Sequence, residues 1–117
     1  MYLLGTEYLP NMNDNILFIE SYKTSPNECQ RRFAHLKQYG IFDKINGVVI
    51  GYNYDLQKDG NTYPQMENIL LEYTKEYKFP IIKCNSFGHK IVNSIIPIGG
   101  NVKIENGKVM IEDEFLK

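Results

Sequence analysis

A chain of 117 residues, 43% of them hydrophobic, has the size of one domain with one modest core. Thirteen basic against fourteen acidic residues leave a formal charge of -1, so the electrostatic footprint of a phosphate-binding surface is missing and nucleic acid is not an expected partner. The opening MYLLGTEYLP lacks the form of an export signal and no run approaches the ~20 apolar residues that cross a bilayer, so a cytoplasmic location with no membrane partner is expected.

Met1 to Asp14 reads as a lead-in to the fold. Asn15-Ile16-Leu17-Phe18-Ile19-Glu20 is a short apolar run closing on a carboxylate, the pattern of a strand covered on both faces. Ser25-Pro26-Asn27-Glu28 has the form of a capping box, with a hydroxyl at the N-cap, proline at the first helical position and glutamate at the third. A helix of about four turns is predicted from there, with Cys29, Phe33 and Leu36 as its apolar stripe and Gly40 as a left-handed C-cap. Gly47-Val48-Val49-Ile50-Gly51 is too short for a helix and rich in β-branched residues, so it reads as a second buried strand, followed by a polar loop from Tyr52 to Asn61. Thr62-Tyr63-Pro64-Gln65 repeats the capping pattern, and Met66, Ile69, Leu70, Tyr73 and Tyr77 recur at helical spacing. Pro80 to Cys84 makes a third strand, followed by the irregular Asn85-Ser86-Phe87-Gly88-His89. Ile95 to Ile98 reads as a further strand. Val102 to Ile104 and Lys108 to Ile111 then flank Asn106-Gly107, a type I′ hairpin signal.

This β-α-β-α-β order makes the first three strands parallel, joined by right-handed crossovers, in an α/β fold. Parallel strands end on one edge of their sheet, and ligands of such sheets bind beyond that edge. With Glu20 closing the first strand, Gly51 the second and His89 a few residues past the third, topology alone brings Glu20 and His89 together. A histidine oriented by a carboxylate is the general base of acyl-transfer enzymes. The residues by themselves leave a plainer alternative open, a solvated glutamate and an exposed loop histidine.

The other reactive side chains point to no second site. Cys29 and Cys84 form no CxxC and read as buried free thiols. Together with His35 and His89 they match no recurrent zinc spacing, so no metal and no cofactor is expected. His35, next to Leu36, reads as capping or bordering the core, and Arg31-Arg32 as a solvated face. Tyr52, Tyr54 and Tyr63 crowd the proposed edge, where they either line a cleft or border the core. Ser21, Ser25, Ser86 and Ser94 fit no nucleophile elbow; Ser25 is a helix cap, and Ser86, although near His89, does not sit at a strand-to-helix turn.

The blocks Leu3-Leu4-Gly5-Thr6, Ile16 to Glu20, Ile45-Asn46-Gly47-Val48-Val49-Ile50-Gly51, Phe87-Gly88-His89 and Ile96-Pro97-Ile98-Gly99-Gly100 carry a family likeness. In order and approximate spacing the set resembles the C-terminal domain of the LD-carboxypeptidase family, from Leu3 to about Glu114, and its microcin C self-immunity branch most. Phe-Gly-His ahead of Ile-Pro-Ile-Gly is its most distinctive part. The resemblance implies a swivelling β/α domain over residues 1–117, with a three-strand parallel core, then antiparallel strands and a C-terminal hairpin. It also implies that Glu20 and His89 are two members of a Ser-Glu-His triad whose serine sits in an N-terminal α/β domain that these residues do not include. The expected protein is therefore the C-terminal domain of a serine carboxypeptidase, inert alone and without a cofactor. Its expected partners are a nucleophile-bearing domain in cis or in trans, a murein peptide or peptidyl-nucleotide substrate, and, as is common in the family, a second copy in a homodimer. Two rival readings keep the fold and change the role: a noncatalytic binding or dimerisation module, and a carrier phosphorylated on His89.

Overall fold

In the computed structural model, which describes residues 2–56 and 64–112, the elements are β1 (Ile16–Tyr22), α1 (Pro26–Gln38), β2 (Gly47–Tyr54), α2 (Met66–Thr74), β3 (Ile81–Gly88), β4 (Val102–Glu105) and β5 (Lys108–Ile111). The first three strands form one sheet in the order β1-β2-β3, and both pairings are parallel. The two crossovers step across the sheet in the same direction, which puts α1 and α2 on one face, in contact with each other. β4 and β5 form a separate antiparallel pair turned by Asn106 and Gly107, whose φ values of 51° and 72° suit a type I′ turn.

The core lies between the sheet and the helices. Leu17 and Ile19 of β1 and Val48 and Ile50 of β2 meet Cys29, Phe33 and Leu36 of α1 and Met66, Ile69 and Leu70 of α2, with Ile41, Phe42 and Ile45 closing one end. Leu4, Leu9 and Met12 of the lead-in pack against this cluster. Burial of a side chain such as Phe33 or Phe42 contributes roughly 1.5–3 kcal/mol relative to leaving it in water. Ser25 caps α1 by accepting a hydrogen bond from the Glu28 backbone N–H at 3.2 Å, while the Glu28 carboxylate pairs with Arg32 one turn on. Gly40 follows the helix with φ at 65°.

Several boundaries differ from those read in the sequence. The strand covered on both faces is β2, where Val48, Val49 and Ile50 are fully buried; β1 is an edge strand and its first five residues are only half-buried. Glu20 and Gly51 do not end their strands, because β1 continues to Tyr22 and β2 to Tyr54, taking Tyr52 out of the expected loop. β3 likewise continues through Asn85 and Phe87 to Gly88. The expected strand from Ile95 to Ile98 does not form: the segment has no regular structure, and Val92, Ile95 and Ile98 are 94%, 88% and 94% exposed. An apolar, isoleucine-rich run becomes a strand only when a neighbouring ladder accepts it. α2 has Gln65 as its N-cap and ends at Thr74, with Tyr77 beyond it stacked on Phe79; Thr62 and Tyr63 of the expected capping box lie outside the described residues.

Candidate active site

β1 and β3 lie on opposite sides of β2, which at the usual strand spacing would hold their backbones about 10 Å apart, yet in places their Cα atoms come within 8 Å. Their side chains meet above it. Phe18, Glu20 and Tyr22 alternate with the core residues Leu17 and Ile19 and so share the other face of β1. The Phe18 ring lies 5.6 Å from that of Phe87, and Glu20 Oε2 lies 2.8 Å from His89 Nδ1. The register shows how β3 reaches over. Ile50 pairs with Lys83 and Tyr52 with Gly88, so one residue of β2, Gly51, stands opposite four of β3. Gly51 leaves the space that Phe87 fills, since a β-carbon there would lie 2.5 Å from the Phe87 ring and 2.7 Å from its carbonyl oxygen. Gly88, at φ 135°, completes the approach; a side chain at that position would be strained and would lie 2.6 Å from Tyr52 O.

Because an ionised carboxylate only accepts, His89 Nδ1 is the donor of this contact, which in the neutral imidazole makes Nε2 the acceptor nitrogen. The pair is accessible from outside, the side chains of His89 and Glu20 being 52% and 30% exposed. Tyr22 stacks on the imidazole with centroids 4.7 Å apart, and Tyr54 stacks on Tyr22 at 5.3 Å. Tyr22 is legible in the sequence only once β1 is known to pass Glu20, because two residues on in a strand means the same face.

A polar network supports the β2 irregularity from the α2 side. Lys83 Nζ donates to Gly51 O at 2.8 Å and lies 3.6 Å from Glu67 Oε2, which accepts from Asn53 Nδ2 at 3.4 Å; Ser21 Oγ reaches Asn53 Oδ1 at 3.4 Å. Desolvation holds the Lys83 ammonium below the ordinary lysine value, against the pull of the Glu67 carboxylate. A half-buried lysine held by a carbonyl and a carboxylate has no signature in the chain's local patterns.

The remaining candidates stand apart from the dyad. Ser25 caps α1, Ser21 is buried against Asn53, Ser86 Oγ is 2.9 Å from Cys84 Sγ, and the Ser94 amide donates to Ser86 O. His35 does not border the core; it is exposed, edge-on to Tyr39. Tyr52 and Tyr54 are half-buried strand residues, and Tyr63 lies outside the described residues. Among the described residues no cluster of three or more metal-ligating side chains occurs, and no helix is long and apolar enough to cross a membrane.

Both cysteines are free, but only Cys84 is partly accessible. Burial, leaving 1% of Cys29 exposed, pushes its thiol up from 9.0 to about 11. A thiol reagent at pH 8 is expected to modify Cys84 alone, with Cys29 following only after denaturation; rapid native-state labelling of both, read by mass spectrometry, would contradict this packing. The folded state favours the neutral Cys29 thiol, so its contribution to stability is whole below pH 9 and declines as pH rises toward about 11.

The LD-carboxypeptidase C-terminal domain model matches residues 1–104. A Treponema pallidum protein named a candidate carboxypeptidase is 32% identical over 104 residues, covering 87% of this chain and 30% of the relative. The microcin C7 self-immunity protein of Escherichia coli is 25% identical over 115 residues, covering 96% of this chain and 33% of its own length. Among solved structures, a microcin C7 self-immunity protein in complex with aspartyl sulfamoyl adenosine superposes with a TM-score of 0.81 at 23% identity, over 98% of this chain and 35% of that one. The muramoyltetrapeptide carboxypeptidase of Oxalobacter formigenes superposes with a TM-score of 0.70 at 25% identity, over 92% and 39%. The chain thus spans about a third of the length of the curated relatives it matches.

Proposed function

The chain belongs to the family of LD-carboxypeptidase C-terminal domains, and from that membership we propose that it supplies the glutamate and histidine of a Ser-Glu-His peptidase whose serine comes from an N-terminal domain. The observation that carries this reading is the 2.8 Å contact between Glu20 Oε2 and His89 Nδ1. In the proposed reaction His89 Nε2 takes the serine proton as Oγ attacks the carbonyl carbon. The imidazolium, stabilised by Glu20, then returns that proton to the leaving amine, and water repeats the sequence on the acyl-enzyme. The bond cleaved is an amide next to a carboxylate terminus, in a murein peptide between an L- and a D-residue or in a peptidyl-nucleotide of the microcin C type. No cofactor takes part, and the reaction is placed in the cytoplasm.

A nucleophile must come within hydrogen-bond reach of His89, so the domain that bears it docks beside the dyad. Val92, Ile95 and Ile98 begin three residues past His89 and are almost fully exposed, a surface suited to that docking. Tyr2 and Leu3, also exposed, extend the apolar surface available to a second copy in a homodimer.

The test is reconstitution. The 117-residue chain alone is expected to leave LD-tetrapeptides intact, and joining it to the N-terminal domain of a relative, in cis or in trans, is expected to yield turnover. Activity of the chain alone, lost in His89→Ala, would overturn the claim that the serine comes from elsewhere. An assembled but inactive two-domain protein would point to the noncatalytic module instead.

A further inference from the structure

We infer that Tyr22 is a positioning residue that fixes the plane of the His89 imidazole, an inference that rests on the dyad reading above. Glu20 and Tyr22 project from one face of β1 and both meet His89, the first through Nδ1 at 2.8 Å and the second by stacking, with centroids 4.7 Å apart and planes inclined by 29°. The two contacts restrain different motions. The hydrogen bond acts in the ring plane and anchors Nδ1, yet it leaves the ring able to swing about that anchor. A stacked aromatic face opposes the swing and so sets the direction in which Nε2 points.

His89 needs the second restraint because its surroundings supply little else. Its side chain is 52% exposed, and its neighbours Gly88 and Lys90 both have left-handed backbone, at φ 135° and 64°. Tyr22 is itself held in place. It stacks on Tyr54, its register partner on β2, with planes at 22°, and the Lys23 ammonium lies 5.4 Å from its ring centroid. Tyr22 is 40% exposed and no member of the core cluster, so burial does not account for this arrangement.

The experiment is imidazole NMR on the 117-residue chain, comparing the wild type with Tyr22→Phe and Tyr22→Leu. In the wild type the His89 ring protons are expected upfield, from the Tyr22 ring current, and the ¹⁵N shifts are expected to report the Nδ1–H tautomer. Tyr22→Phe keeps both signatures. Tyr22→Leu, with an unchanged melting temperature, loses the upfield shift; Glu20 still holds the Nδ1–H tautomer, but the ring swings about that anchor and its side-chain order falls. In the reconstituted peptidase Tyr22→Leu is expected to lower kcat about tenfold with KM unchanged, as for a misaligned base, and Tyr22→Phe to restore it. A leucine variant whose His89 ring stays as ordered as in the wild type, or a phenylalanine variant that loses that order, would overturn the inference. If the reconstituted enzyme shows no activity at all, the dyad reading fails, and the spectra still decide the role of Tyr22.

Discussion

His89→Ala in the reconstituted peptidase is expected to lower kcat by roughly 10³-fold or more while leaving KM and domain association nearly unchanged. The reason is the division of labour at the imidazole. In the proposed reaction Nδ1 is committed to Glu20 and Nε2 accepts and returns the serine proton; alanine supplies neither function. Glu20→Gln should cost about 10²- to 10⁴-fold. Glutamine keeps the size of the side chain, but it offers no charge to the imidazolium, and its amide N–H favours the tautomer protonated on Nε2, which cannot act as the base. Steady-state kinetics on both variants decide the matter. A His89→Ala enzyme within tenfold of wild type would remove His89 from the chemistry, and a silent Glu20→Gln would reduce the 2.8 Å contact to a surface ion pair.

Gly51→Ala is expected to lower stability by about 2 kcal/mol, the cost of forcing a methyl group into a filled space. For 117 residues that corresponds to a melting temperature lower by about 8 °C. The added carbon would lie 2.5 Å from Phe87 Cε2 and 2.7 Å from Phe87 O. The ring can turn away, but the carbonyl belongs to β3 and moves only if β3 moves. Displacing β3 there carries His89, two residues on, away from Glu20. The variant should therefore lose the Nδ1–H signature of His89 as well as stability, a combination that a substitution in the helix-facing core would not produce. Calorimetry and imidazole NMR on one sample test both parts. An alanine variant that melts like the wild type and keeps its His89 spectrum would show that the close approach at Gly51 is not what seats the dyad.

Local patterns made most of the architecture legible. The Ser25-Pro26-Asn27-Glu28 cap starts α1 because the hydroxyl satisfies a helix N–H whatever the rest of the chain does. Asn106-Gly107 turns the hairpin because both residues tolerate positive φ. The apolar runs of β1 and β2, separated by a helix, imply parallel pairing, and parallel pairing brings the residues at their carboxyl ends to one edge. Glu20 and His89 were legible in that way, as neighbours imposed by topology, and the family likeness supplied the role proposed for them.

What tertiary structure alone decided concerns interactions that no local window contains. The strand ends were misplaced because Glu20 and Gly51 look like terminators, whereas a ladder continues as long as a neighbour accepts its hydrogen bonds, here to Tyr22 and Tyr54. Ile95 to Ile98 has the composition of a strand and stays irregular and exposed. The four-against-one irregularity at Gly51 that lets Phe87 and His89 reach across β2, the contacts of Lys83 with Gly51 O and Glu67, and the stack of Tyr22 on His89 all depend on three strands meeting in one register. Composition and periodicity determine which segments become strands and helices, because those preferences act over a few residues. The close contacts that shape the dyad, Phe87 against Gly51 and Tyr22 against His89, are set by packing between residues far apart in the chain, where local patterns carry no physical signal.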